Sequence, residues 1–107
     1  MTLRQKQSKF CRMVGMLICH AHLLGYELTF GRAYVNKEAN KAMGSKLKNS
    51  LHTQKLAIDL NLFLNGVYLS STKSHEPLGL YWESIGGTWG GRFNDGNHYS
   101  LEHNGVK

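Results

Sequence analysis

Acidic residues are in short supply in this chain. Seven Asp and Glu stand against thirteen Lys and Arg, leaving a net charge of +6 with the histidines neutral. That imbalance favours anionic partners, whether nucleic acid, phospholipid or acidic wall polymers, without choosing among them. Cysteine is scarce too: Cys11 and Cys19 are the only two, and they form no C-x-x-C pair. On one helix they would stand ~12 Å apart along the axis at ~1.5 Å per residue. A disulfide bridges no more than ~7 Å between Cα atoms, so none forms here. Two buried, reduced thiols in a chain folded in a reducing cytoplasm are the expectation. Long apolar runs are missing, and nothing approaches the ~20 consecutive apolar residues of a membrane span. The start, "MTLRQKQSKFCRMVGMLICHAHLLGY", has the basic head and apolar stretch of a signal peptide. However, Arg12, His20 and His22 interrupt it, and no small-x-small cleavage site follows. A soluble chain that is not exported by itself is expected. Repeats and low-complexity tracts are absent, and 107 residues suffice for one core but not two.

What is present reads as a single α+β domain over residues 1–107, with an N-terminal amphipathic helix, two short helices and a small antiparallel sheet. Phe10, Val14, Leu17, Ala21 and Leu24 alternate at spacings of four and three, the apolar stripe of a helix over residues 7–24. Ser8 is the expected N-cap and Gly25 the stop. His20 and His22 fall on different faces of that helix and are read as surface or boundary residues. "YELTF" at 26–30 has strand composition, "NKEANKAM" at 36–43 that of a short polar helix, and a lysine-rich loop follows over 44–50. Leu56 to Phe63 reads as a strand. Asn65-Gly66 then turns the chain into a hairpin over 60–70. Pro77 opens a helix through "LGLYWESIG", with Tyr81 and Trp82 in the core, and "TWGGRF" and "HYSLEH" are two further strands around the turn "NDGN".

The chemistry gathers around Asp59, which stands inside the most core-like segment, "LAIDLNLFL". A buried carboxylate costs several kcal/mol unless a cation or a hydrogen bond compensates it. His52 precedes it by seven residues, which span ~23 Å if extended and ~10 Å if helical. Neither brings both onto one ion at ~2.0–2.2 Å. His52 therefore belongs before a reversal, with "TQK" turning the strand back past it. A third ligand fits best at His98, which enters a strand after the Gly/Asn turn and shares a face with Ser100 and Glu102. Asp95, three residues earlier in a turn expected to be half-buried, can reach an open coordination position. Three protein ligands plus water is the catalytic zinc pattern, and a nearby free carboxylate is the base such water needs. On spacing alone a second reading stands beside it, in which Asp59 caps a turn and His52 and His98 are loop residues.

Two blocks carry a more specific signal. "S-L-H-T-Q-K-L-A-I-D-L" resembles the S-x-H-x-x-G-x-A-x-D motif of the M15-type zinc peptidases, the D-Ala-D-Ala carboxypeptidase/L-alanyl-D-glutamate endopeptidase family. "W-G-G-R-F-N-D-G-N-H-Y-S-L" resembles that family's closing motif of W-G-G, an acid, two residues and the last zinc histidine before an aromatic. The blocks occur in family order, the likeness runs from about Gly25 to the C-terminus, and it is strongest to short bacteriophage members. The resemblance implies His52, Asp59 and His98 as Zn²⁺ ligands, Asp95 as catalytic base, and Trp89, Gly90 and Gly91 as the floor of the cleft. Two positions depart from the pattern. Lys55 stands where the family has Gly, and Val35 follows Tyr34 where the family places an arginine. Arg32 is the nearest cation that could take that arginine's role on a substrate carboxylate or oxyanion.

The resemblance implies hydrolysis of an amide bond in the peptidoglycan stem peptide. The enzyme would be a monomeric phage endolysin, held in the host cytoplasm until released to the wall, with no separate wall-binding module. The absent arginine after Tyr34 favours an L-alanyl-D-glutamate-type endopeptidase over a D-Ala-D-Ala carboxypeptidase. A basic nucleic-acid-binding module is the alternative from another class. It would rest on the five lysines between Lys37 and Lys55, but these lack the interleaved aromatics for base stacking. A structural zinc domain would close its site with four protein ligands, often Cys, and neither cysteine is placed to help.

Overall fold

The computed structural model describes residues 1–42 and 50–107. The first helix, α1, spans Leu3–Leu23. It begins four residues before the expected start because Thr2, not Ser8, is the cap. The Thr2 hydroxyl accepts from the Gln5 N–H and the Gln5 side chain accepts from the Thr2 N–H, a reciprocal capping box. At the other end Gly25 takes φ +88°, the left-handed conformation that stops a helix. Phe10, Met13, Leu17 and Ala21 form its buried stripe. That stripe fixes the helix's orientation and turns Cys11 and Cys19 outward. Both thiols are free and exposed, against the expectation of buried ones.

The element order is the expected one. After α1 come β1 (Glu27–Phe30), α2 (Lys37–Ala42), β2 (Ala57–Leu64), β3 (Val67–Leu69), α3 (Glu76–Ser84), β4 (Thr88–Trp89) and β5 (His98–Ser100). Residues 43–49, most of the expected lysine-rich loop, lie outside the described residues. The antiparallel sheet runs β1-β2-β5-β4, with β3 also paired to β2. Long β2 is the hub: its C-terminal half pairs with β1 and β3, its N-terminal half with β5. Asn65 and Gly66 both take positive φ, 51° and 77°, as the tight β2–β3 turn requires. Two expected strands are shorter than their composition suggested. "TWGGRF" pairs only at Thr88–Trp89 and then coils into a 3₁₀ turn over Gly90–Phe93. "HYSLEH" leaves the sheet after Ser100, with His103 making an isolated bridge to Val106.

Strand alternation sorts β2 into two faces. Ile58, Leu60 and Leu62 are buried in the core with Phe10, Leu17, Leu78 and Trp82, each such side chain contributing ~1.5–3 kcal/mol. Trp82 is fully buried, as expected. Its indole N–H donates to the Ser100 and Thr88 carbonyls at 2.9 and 3.1 Å, tying α3 to the edge of the sheet. Tyr81 is only half-buried, and its ring stacks on His20 at 3.9 Å. The opposite face of β2 carries Asp59, Asn61 and Phe63. Among the described residues no helix is long and apolar enough to cross a membrane.

Beneath β5 lies a buried polar pair, with His75 Nδ1 2.9 Å from the Tyr99 hydroxyl. Burial lowers the His75 pKa from its ordinary 6.5, only partly offset by a hydrogen bond to the Leu69 backbone. A base depressed in the folded state stabilises the protein above its unfolded pKa, and that stability is lost as pH falls through the lowered folded value. The advantage of the wild type over His75→Asn in urea unfolding is therefore expected to shrink between about pH 7.5 and about pH 5. A constant difference would contradict a neutral His75.

Candidate metal centre

Asp59 owes its position to the backbone. On one edge of β2 its N–H donates to the Arg32 carbonyl at 2.7 Å, and its own carbonyl accepts from the Gly31 N–H at 2.8 Å. These two bonds carry the β1 pairing past the end of that strand. A Cβ on Gly31 would lie 3.1 Å from the Asp59 carbonyl oxygen, so the approach is tight. On the other edge Asp59 stands directly opposite His98 in the β2–β5 register, which places both side chains on one face.

His52 reaches the same face by the expected reversal. Residues 51–55 form a compact turn in which the Lys55 N–H donates to the His52 carbonyl and the Leu56 N–H to that of Leu51. Lys55, where the family motif has Gly, makes the turn with φ +59°, a left-handed conformation that glycine takes most easily. Its ammonium lies 5.1 Å from the Tyr34 ring centroid. The His52 ring is aimed by Nδ1, 2.9 Å from the Ala33 carbonyl, which leaves Nε2 for the site.

The three side chains converge. Asp59 Oδ1 lies 3.4 Å from His52 Nε2 and 3.4 Å from His98 Nδ1. One ligand atom from each residue falls within 4.8 Å of the others. Two ligands ~2.1 Å from a tetrahedral ion stand ~3.4 Å apart, so the spacing suits a zinc-sized cation. The polar accounting agrees. Both imidazoles are buried, yet Asp59 Oδ1, also buried, makes no hydrogen bond among the described residues. Burial alone would raise the Asp59 carboxyl, but the flanking His52 and His98 outweigh it and hold the pKa down at about 2. For His52 burial works downward, and the Asp59 carboxylate and Ala33 carbonyl overcome it, leaving the pKa raised. Two imidazoles and an ionised carboxylate around an orphaned oxygen are a donor set that fits Zn²⁺.

Asp95 stands beside this cluster, its Oδ2 3.9 Å from His98 Nδ1. The side chain is 51% exposed, so the turn is open rather than half-buried as expected. The turn is rigidly held all the same. The Asp95 N–H donates to the Gly90 carbonyl at 2.8 Å, and the His98 N–H to the Asp95 carbonyl at 3.1 Å. The Trp89 indole donates to the Gly96 carbonyl at 2.8 Å, and the Gly96 N–H to the Thr72 hydroxyl at 3.2 Å. The W-G-G motif thus backs the turn from inside, with Trp89 buried beneath it. Arg92 fastens the same segment to α3 through two bonds to the Glu83 carboxylate, at 2.7 and 2.9 Å. Arg32 is exposed and bonds Asp59 through its backbone, and its positive charge acts on His52. Sequence reasoning missed the supporting groups Thr72, Glu83 and the Ala33 carbonyl, because none stands in either motif block.

A family model described as D-alanyl-D-alanine carboxypeptidase, of the M15 peptidases, matches residues 43–101, over half of the chain. The chain belongs to the M15 peptidase family. The solved structure of Serratia marcescens L-Ala D-Glu endopeptidase ChiX is similar in fold to this M15 peptidase. The two share a TM-score of 0.71 at 16% identity, covering 89% of this chain and 79% of the other. No curated protein sequence matches the chain.

Gly90 shows how little slack the site has. A Cβ there would lie 2.2 Å from the Asp95 carbonyl oxygen and 2.7 Å from His98 Cβ, whereas one on helical Gly15 would meet nothing within 4 Å. Gly90→Ala is expected to destabilise the M15 domain by about 1–3 kcal/mol and to weaken zinc binding. Gly15→Ala is expected to stabilise it by up to about 1 kcal/mol. Urea midpoints and zinc titration of both variants check this, and an unchanged Gly90→Ala protein would contradict it.

Proposed function

We propose that this chain is a zinc-dependent peptidoglycan hydrolase that cuts an amide bond in the stem peptide, with His52, Asp59 and His98 as the metal ligands. The observation that carries the reading is the convergence of one carboxylate and two imidazole nitrogens from two distant blocks, with the exposed Asp95 carboxylate beside them. Three protein ligands leave a coordination position for water and substrate, the arrangement of catalytic rather than structural zinc. Zn²⁺ bound there would act as a Lewis acid and lower the pKa of its water towards ~7.

The chain's own residues supply the rest. Asp95 takes a proton from the attacking water and returns it to the leaving amine, the general-base then general-acid role. Its exposure leaves it accessible to a bound peptide. The Ala33 carbonyl holds His52 in the tautomer that presents Nε2, and the β2–β5 register does the same positional work for Asp59 and His98. Arg32, in the loop bonded to Asp59, would attract a substrate carboxylate or the developing oxyanion.

The similarity in fold to an L-Ala D-Glu endopeptidase supports L-alanyl-D-glutamate-type endopeptidase action. The family description favours the second reading, a D-Ala-D-Ala carboxypeptidase. The net charge of +6 suits a basic enzyme that concentrates on anionic wall polymers, as a phage endolysin would.

Digestion of purified peptidoglycan, with the new amino terminus read by mass spectrometry, tests the reading. The wild type is expected to release D-Glu amino termini, and a chelator to stop it. Asp95→Asn is expected to keep the fold and one zinc while turnover drops by about a hundredfold or more. Full activity in that variant would remove Asp95 from its role, and chelator-resistant cleavage would remove the metal.

A further inference from the structure

The face of β2 that carries Asp59 continues beyond it with a second feature. Along a strand every other residue shares a face, so Asp59, Asn61 and Phe63 lie in a row. The register extends that row sideways: Thr29 stands opposite Asn61, and Tyr68 opposite Phe63. Asn61 donates through Nδ2 to the Thr29 hydroxyl at 3.2 Å, forming a polar step next to the metal centre. Past it the Phe63 and Tyr68 rings pair at 5.3 Å between centroids, tilted at 47°. This aromatic pair is no part of the hydrophobic core. Tyr68 is 55% exposed, and Phe63 is only half-buried.

We infer that Phe63 and Tyr68 form a sugar-binding ledge, which takes the N-acetylated glycan from which the stem peptide hangs. The inference rests on the hydrolase reading for the identity of its ligand. Phe63 stands four residues along the strand from Asp59, or ~13 Å at ~3.3 Å per residue. A substrate cut at its first peptide bond has one amino acid and a short ether-linked acid between that bond and the sugar. A chain of that length lets the sugar rings, not more peptide, arrive at the ledge. Pyranose rings present an apolar face of C–H groups that packs on the electron-rich face of an aromatic ring. The amides of the linker and N-acetyl group would pass over the polar step at Asn61 and Thr29. A carboxypeptidase acting at the far end of the stem would have no use for such a ledge.

The test compares zinc-loaded wild type, Tyr68→Ala and Tyr68→Trp on two substrates, a stem peptide bearing its N-acetylated disaccharide and the same peptide without sugar. The peptide-free disaccharide is also titrated into each protein and followed by NMR. The wild type is expected to show a roughly tenfold lower KM for the sugar-bearing peptide. Tyr68→Ala is expected to erase that difference and leave kcat and KM on the bare peptide unchanged, and Tyr68→Trp to restore it. The disaccharide is expected to shift the Phe63 and Tyr68 resonances. Equal KM values for both substrates in the wild type would overturn the ledge, as would a Tyr68→Ala defect that falls on both alike. If neither peptide is cut the hydrolase reading fails by itself. The titration then judges the ledge, which stands if the two aromatic resonances move and falls if they do not.

Discussion

The Asp59 carboxylate, set between two imidazoles in the middle of the central strand, is the constraint around which the rest of the structure is arranged. Its backbone is hydrogen-bonded to Arg32 and Gly31 on one edge of β2, and on the other edge it stands directly opposite His98. That backbone pairing fixes the face on which the carboxylate stands. It faces His52 and His98 at 3.4 Å each, and their proximity keeps it ionised despite burial. An ionised oxygen with no hydrogen bond in that setting is costly unless a cation completes it. The metal centre proposed here would resolve that cost.

The surrounding fold works to keep that geometry fixed. Trp82 binds α3 to β5 through the Ser100 carbonyl, and His75 engages the Tyr99 hydroxyl next to His98. Trp89, Thr72 and Gly90 hold the turn that presents Asp95. Asp59 and His98 thus sit on a rigid strand pair and His52 in a compact turn beside it, while the proposed base sits in an open turn that rigid contacts support. That division suits a reaction in which the metal must not move and the base must meet a large substrate.

Much of this was legible in the residues. The apolar stripe of α1, the Asn65-Gly66 hairpin and Pro77 at the start of α3 each follow from local rules. The two motif blocks marked out His52, Asp59 and His98, which the fold brings together, and Asp95 beside them. What escaped was non-local. The capping box at Thr2 depends on a side chain reaching back from Gln5, and it moved the helix start away from Ser8. The outward turn of Cys11 and Cys19 follows from which stripe docks on the sheet, not from cysteine's usual preference for burial. "TWGGRF" has strand composition but coils after Trp89 because the two glycines pack against the Trp89 ring and the Asp95–His98 turn. The openness of Asp95 likewise depends on neighbours that no motif names. Lys55 takes a left-handed backbone in its turn without glycine's freedom.

The central claim is a mononuclear zinc site built from two imidazoles and one carboxylate. X-ray absorption at the zinc edge, on metal-free protein reloaded with zinc, tests it most directly. The account predicts one zinc per chain, with nitrogen and oxygen ligands at ~2.0–2.2 Å and two imidazole scattering signatures, and loss of that zinc in His52→Ala. A protein that retains no zinc, or binds it through sulfur from Cys11 or Cys19, would contradict it.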